Sequence, residues 1–251
     1  MINLNIIDKN IYSIVNIPSV LNTEFNQYQQ NYPLVCNSLL YLFMIFVFDC
    51  SLRIFFGSKA RWFQLHTLLN IIVVFNILPD VIEIFNNPNM GYRLLDNHTA
   101  SLNILCLHIY HIIGFRNLGF YDYFHHILFI GLGVIPVIFL IKYNQIYLGY
   151  LSCSGIPGII EYSTLSLYKN NIITLSLQKK FNSYVYIYLR LPLCIVGVTM
   201  NYYAYINNLV RDNLLITSYI NFLLYLNGTF FTQLTVESYY KIKYSTKVKN
   251  I

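Results

Sequence analysis

Tyr121-Asp122-Tyr123-Phe124-His125-His126, followed by an apolar run to Ile141, is one bilayer-length of sequence whose ionisable groups are all gathered at one end. About 20 predominantly apolar residues cross a hydrocarbon core, so this stretch is a spanning helix. Lipid offers a charge no water, so an imidazole or carboxylate inside a span marks a site or faces a polar cavity. Two adjacent histidines one turn after an aspartate therefore decide both the fold class and where function is sought.

Composition extends this reading to the whole chain. The 251 residues are 56% hydrophobic and 10% charged, against about 25% charged in an ordinary soluble domain. The apolar surplus runs from end to end, which predicts an all-α polytopic membrane protein with no separate soluble domain. Met1–Asn10 has no basic region followed by an apolar core, so no secretory signal peptide is expected there. The five cysteines (Cys36, Cys50, Cys106, Cys153 and Cys194) form no Cys-x-x-Cys pair and read as buried free thiols. A net charge of +6 with its basic residues in short loops is an orientation signal, and nucleic acid is excluded as a partner. The 24 tyrosines accompany an abundance of Asn, Ile and Lys and are read as coding bias.

Seven spans are expected: Tyr32–Phe56, Trp62–Pro79, His98–Phe115, Asp122–Ile141, Gln145–Tyr168, Tyr184–Ile206 and Asn213–Val236. Alternate loops differ in basic content. One side carries Arg53, Lys59, Arg61, Arg116, Lys169, Lys179, Lys180, Lys241, Lys243, Lys247 and Lys249; the other carries only Lys9, Arg93, Lys142 and Arg211. The positive-inside rule puts the first set in the cytosol, the N-terminus in the lumen or exterior, and the C-terminal tail in the cytosol. Two glycosylation sequons, Asn97-His98-Thr99 and Asn227-Gly228-Thr229, lie against or inside the membrane and are expected to be unused.

That orientation assigns depths. His66 in the second span, His108 and His111 in the third, Asp122, His125 and His126 in the fourth, Glu161 in the fifth and Arg190 in the sixth all fall in the cytosolic half. His108 and His111 share one helix face. Asp122 precedes His126 by four residues, roughly 6 Å along the axis. These groups predict a polar cavity open to the cytosol. The alternative is that each is satisfied separately by a backbone carbonyl or an ion pair. Ser154-Gly155-Ile156-Pro157-Gly158 is expected to interrupt the fifth span just before Glu161.

Several chemistries fit such a layer. One imidazole could act as general base and its neighbour as nucleophile, with Asp122 or Glu161 holding a ring in one tautomer. A cytosol-facing site suits a water-soluble activated donor such as an acyl-CoA and a lipid acceptor entering sideways. A zinc site built from two or three histidines and a carboxylate is a rival, and a transporter site at the broken fifth span is a third reading. The last span has no lysine for a retinal Schiff base, and the chain has neither a phosphate-cradling glycine loop nor a nucleophile elbow.

From about Lys59 to Tyr240 the chain resembles the TLC-domain family, which includes the ceramide synthases. The resemblance is carried by Arg61-Trp62-Phe63-Gln64-Leu65-His66, by Asp122 with His125-His126, by Glu161-Tyr162-Ser163-Thr164 and by Arg190. It implies a lumenal segment at 1–31, a first transmembrane helix at 32–58, a six-helix TLC-like barrel at 59–240 and a basic cytosolic tail at 241–251. It further implies lipid metabolism in the endoplasmic reticulum or another endomembrane. The resemblance makes His125 and His126 catalytic; Asp122 and Glu161, read above as orienting acids, complete the expected catalytic set, with His66, His108, His111 and Arg190 serving the substrate. No bound cofactor or metal is assigned; acyl-CoA is the candidate co-substrate. Membrane lipids and a second copy of the chain are the candidate partners. The span that in ceramide synthases carries an aspartate-rich segment reads Tyr150-Leu151-Ser152-Cys153-Ser154-Gly155-Ile156-Pro157-Gly158 here, and Tyr110-His111 stands where the family has Tyr-Asp. These departures imply a divergent branch. The alternative function is a non-catalytic lipid-binding, lipid-sensing or lipid-transfer protein using the same cavity.

Overall fold

The computed structural model describes residues 33–95, 98–115, 118–141, 143–209 and 214–248. Among them the chain is helical throughout and contains no strand, only one isolated bridge between Leu94 and Tyr143. The helices are α1 (Pro33–Phe56), α2 (Arg61–Asn86), α3 (Thr99–Gly114), α4 (Phe120–Leu140), α5 (Ile146–Cys153), α6 (Ile156–Lys169), α7 (Leu175–Ile206) and α8 (Leu214–Val248). With α5 and α6 taken as one broken rod, they follow the seven expected spans in order. α1, α2, α4, α7 and α8 are each long and apolar enough to cross a membrane, while α3 is a shorter apolar helix. The protein is an all-α polytopic integral membrane protein. The chain divides into two compact units, Met1–Tyr41 and Leu42–Ile251. The first contributes the opening turns of α1 to the described structure, and the second carries the site.

Helix limits follow local chemistry. α1 stops at Gly57, whose φ of +76° is the left-handed conformation that closes a helix, and the Gly57 N–H donates to the Arg53 carbonyl at 3.0 Å. α2 runs past the expected end at Pro79 to Asn86, carrying that proline internally. A membrane helix tolerates this where neighbours re-satisfy the freed backbone. α7 starts earlier than expected, at Leu175, because the Thr174 hydroxyl accepts from the Leu177 N–H at 3.2 Å. α8 continues to Val248, beyond the apolar run that set its expected end at Val236. The Asn97 sequon lies outside the described residues.

The fifth rod breaks where expected. Ser154 caps the end of α5 and Gly155 opens α6, and a Cβ on Gly155 would lie 2.5 Å from the Leu151 carbonyl oxygen. Only glycine lets the backbone approach so closely.

The apolar core gathers Val73, Ile77, Val81 and Ile84 of α2, Ala100 and Ile104 of α3, Ile130 and Val137 of α4, and Ile146 and Leu148 of α5. It occupies one end of the bundle. The outward surface is also apolar, with Phe75, Ile127, Phe139, Tyr188 and Phe222 all exposed, as a surface solvated by lipid tails requires. α2 lies along α6 and α7 along α8.

Candidate functional site

At the end opposite the core, the first turns of α2, the last of α3 and the first of α4 surround a cavity of about 650 Å³. All eight residues singled out from the sequence line it: His66, His108, His111, Asp122, His125, His126, Glu161 and Arg190. Five of the chain's six histidines thus meet in one place. His66, His108, His111 and His126 are buried, and the ring centroids of His108 and His111 lie 5.3 and 5.0 Å from that of His126.

Hydrogen bonds to carbonyls settle the neutral tautomers, because a carbonyl only accepts. His126 Nδ1 is 2.5 Å from the Asp122 carbonyl, so Nδ1 carries the proton and Nε2 keeps its lone pair. That Nε2 is buried and has no partner. His108 Nδ1 likewise donates to the Ile104 carbonyl at 2.7 Å. Its Nε2 must then accept, and His125 Nε2 donates to it at 3.1 Å, leaving the His125 lone pair on Nδ1. His111 Nδ1 is a second buried nitrogen without a partner.

The carboxylates are engaged differently from the sequence expectation. Asp122 holds His126 through its backbone carbonyl; its exposed carboxylate accepts from the Gly119 N–H at 2.8 Å and caps the start of α4. Glu161 accepts from the Tyr186 hydroxyl. Neither carboxylate hydrogen-bonds an imidazole, so the expected acid–imidazole pairing is not formed. The alternative of separate satisfaction by backbone carbonyls holds for one nitrogen each of His108 and His126, while His126 Nε2 and His111 Nδ1 have no partner.

Aromatic rings fix the remaining histidines. His66 stacks on Tyr162 with centroids 4.1 Å apart and meets Trp62 edge-on at 3.9 Å; Trp62 stacks on His111 at 3.5 Å. Among the described residues no three His, Cys, Asp or Glu side chains are arranged to hold one metal ion.

Two wide π turns aim the key side chains. One, His126–Val134 in α4, begins at His126; the other, Tyr186–Arg190 in α7, ends at Arg190. Each is followed within two residues by a proline, Pro136 or Pro192. Proline has no N–H to donate and crowds the carbonyl four residues back, and a wider turn relieves that contact. The carbonyl that Pro136 leaves free, Leu132, receives the Tyr219 hydroxyl of α8 instead.

Arg190 is 5% exposed. Nη2 donates to Asn227 Oδ1 at 2.6 Å and Nη1 to the Tyr186 hydroxyl at 3.4 Å, while Nε has no partner. The guanidinium faces the Tyr186 and Phe231 rings at 4.8 and 5.4 Å. Asn227, the second sequon residue, is itself buried and spent on this contact. A smaller, mostly apolar cavity of about 110 Å³ adjoins the first, and both are lined by His125, Cys153, Ser154 and Arg190. The cysteines are free, as expected. Cys36, Cys106 and Cys194 are buried as expected, whereas Cys153 is only half-buried and Cys50 is exposed.

Sequence reading missed Asp49. It is 1% exposed in α1 and accepts from Arg61 through both carboxylate oxygens and from the Tyr110 hydroxyl at 2.5 Å. Its partners are 12 and 61 residues away, so only the fold could connect them.

Fold and site together define a class: a helical membrane protein whose apolar exterior encloses a polar, histidine-lined chamber joined to an apolar one. No family model matches the chain, and no curated protein or solved structure matches it either.

Proposed function

We propose that this is a TLC-like protein of the endoplasmic reticulum or another endomembrane that acts on lipids, transferring an acyl group from a cytosolic acyl-CoA to a lipid acceptor. The observation carrying this reading is the partnerless Nε2 of His126, buried in the cavity with its tautomer set by a helix carbonyl. Such a nitrogen is a ready general base. His125 attacks the thioester carbonyl through Nδ1, forming an acyl-imidazolium that keeps its Nε2–H, and CoA leaves as its thiolate. The acceptor hydroxyl or amine then gives its proton to His126 Nε2 while its heteroatom takes the acyl group from His125, which leaves as the neutral imidazole, and His126 passes the proton on to the CoA thiolate. The basic residues clustered on one side support a cytosolic opening for the donor.

One observation favours the second reading, a non-catalytic lipid binder: both carboxylates are occupied elsewhere, and no acid steadies either imidazole. Lipid profiling of cells expressing the wild type and the His125→Ala/His126→Ala double variant decides between them. Acyl transfer predicts loss of a lipid product in the double variant and in His126→Gln. A binder predicts that His126→Gln leaves every lipid unchanged.

A further inference from the structure

Arg190 combines three properties that a purely structural arginine does not need together. It is nine-tenths buried, its Nε donor is unused, and it lines the wall shared by the polar and apolar cavities. A buried cation is costly unless an anion compensates it. Here the guanidinium forms no direct ion pair among the described residues. Glu161 is reached only through the Tyr186 hydroxyl, which donates to the carboxylate while accepting from Nη1. Asn227 grips Nη2 and fixes the plane of the guanidinium without neutralising it. The imidazoles beside it add no negative charge.

We propose that Arg190 anchors the oxyanion of a single-chain amphiphile, the head group bonding Nε from the polar cavity and the first carbons of the tail entering the apolar one. Carboxylate and phosphate head groups share the chemistry that a guanidinium recognises, planar or paired oxygens accepting from N–H donors. The apolar cavity begins at the arginine itself, so head and tail are separated at one side chain. Ile130, Val134, Ile220 and Leu223 line the tail side. The inference rests on the lipid-binding part of the reading above and not on any transfer chemistry.

The test is binding to the full chain in nanodiscs, by calorimetry, of decanoate, decyl phosphate, decanol and decyltrimethylammonium at pH 8. Wild-type protein should bind one or both oxyanions at least about tenfold more tightly than decanol, the worth of one charge-assisted hydrogen bond. The two oxyanion arms tell a carboxylate from a phosphate ligand. In Arg190→Gln that preference should vanish while decanol affinity stays the same. If the variant fails to fold, Asn227→Ala, which frees the guanidinium to swing, should reduce the preference without abolishing it. Equal binding of decanoate, decyl phosphate and decanol by the wild type, or preference for the ammonium, overturns the proposal. Unchanged lipids in the His125→Ala/His126→Ala variant together with an intact oxyanion preference would sink the transfer reading and leave the anchor standing.

Discussion

Two charged groupings are built from adjacent residues of the same helices and could hardly differ more. Arg61 and Tyr110 bind Asp49, while their chain neighbours Trp62 and His111 turn into the cavity and stack on each other. In the Asp49 grouping the carboxylate is met by three donors. In the cavity, His126 Nε2, His111 Nδ1 and Arg190 Nε have none. The first arrangement satisfies every demand that burial makes of a charge, so it serves the fold. The second leaves demands open, and such groups persist where a ligand meets them.

The largest effect that would break this contrast concerns activity. His126→Ala should lower the proposed acyl transfer by about 10²–10⁴-fold, the usual worth of a general base, with little change in thermal unfolding; turnover and melting are measured on the same sample. Asp49→Ala should do the reverse. Losing a carboxylate that three donors meet, with the half-buried Arg61 left unpaired, costs about 1–3 kcal/mol, visible as a lowered melting temperature in detergent, while the protein that remains folded keeps its cavity chemistry. Gly155→Ala should cost about 1–3 kcal/mol, because its Cβ would meet the Leu151 carbonyl. Arg93→Ala sets the lower bound. Arg93 bonds Asp80 at 3.1 Å but is 48% exposed, so its loss should cost at most about 1 kcal/mol and be masked by salt. A large stability loss in His126→Ala, or none in Asp49→Ala, would erase the distinction.

Much of this was legible in the sequence, for identifiable reasons. The seven rods follow from apolar runs near bilayer length, and the Ser154–Gly158 stretch marked the break in the fifth. The gathering of His66, His108, His111, Asp122, His125, His126, Glu161 and Arg190 was readable because antiparallel helices bring alternate ends together. Hydrogen-bond partners were not readable. Asp49 looked like one polar residue in an apolar span, since its value depends on Arg61 and Tyr110. Asp122 engages His126 through its main chain, which no side-chain pattern encodes. Tyr186 reads as an unremarkable span residue and Asn227 as an unused sequon until Arg190 lies between them. The wide turns did have a signal: Pro136 and Pro192 each follow the side chain that the turn presents.

Those wide turns have a geometric consequence. An α-helix advances about 100° per residue, so each residue accommodated in a wider loop rotates everything beyond it relative to everything before. In α4 and α7 the stretch that faces the chamber and the stretch that faces the hydrocarbon core are therefore set out of phase, each free to present its own stripe. Deleting a single residue from either turn would put the rod back in phase and swing His126 or Arg190 away from its present bearing relative to the anchored remainder, without altering any side chain in the chamber.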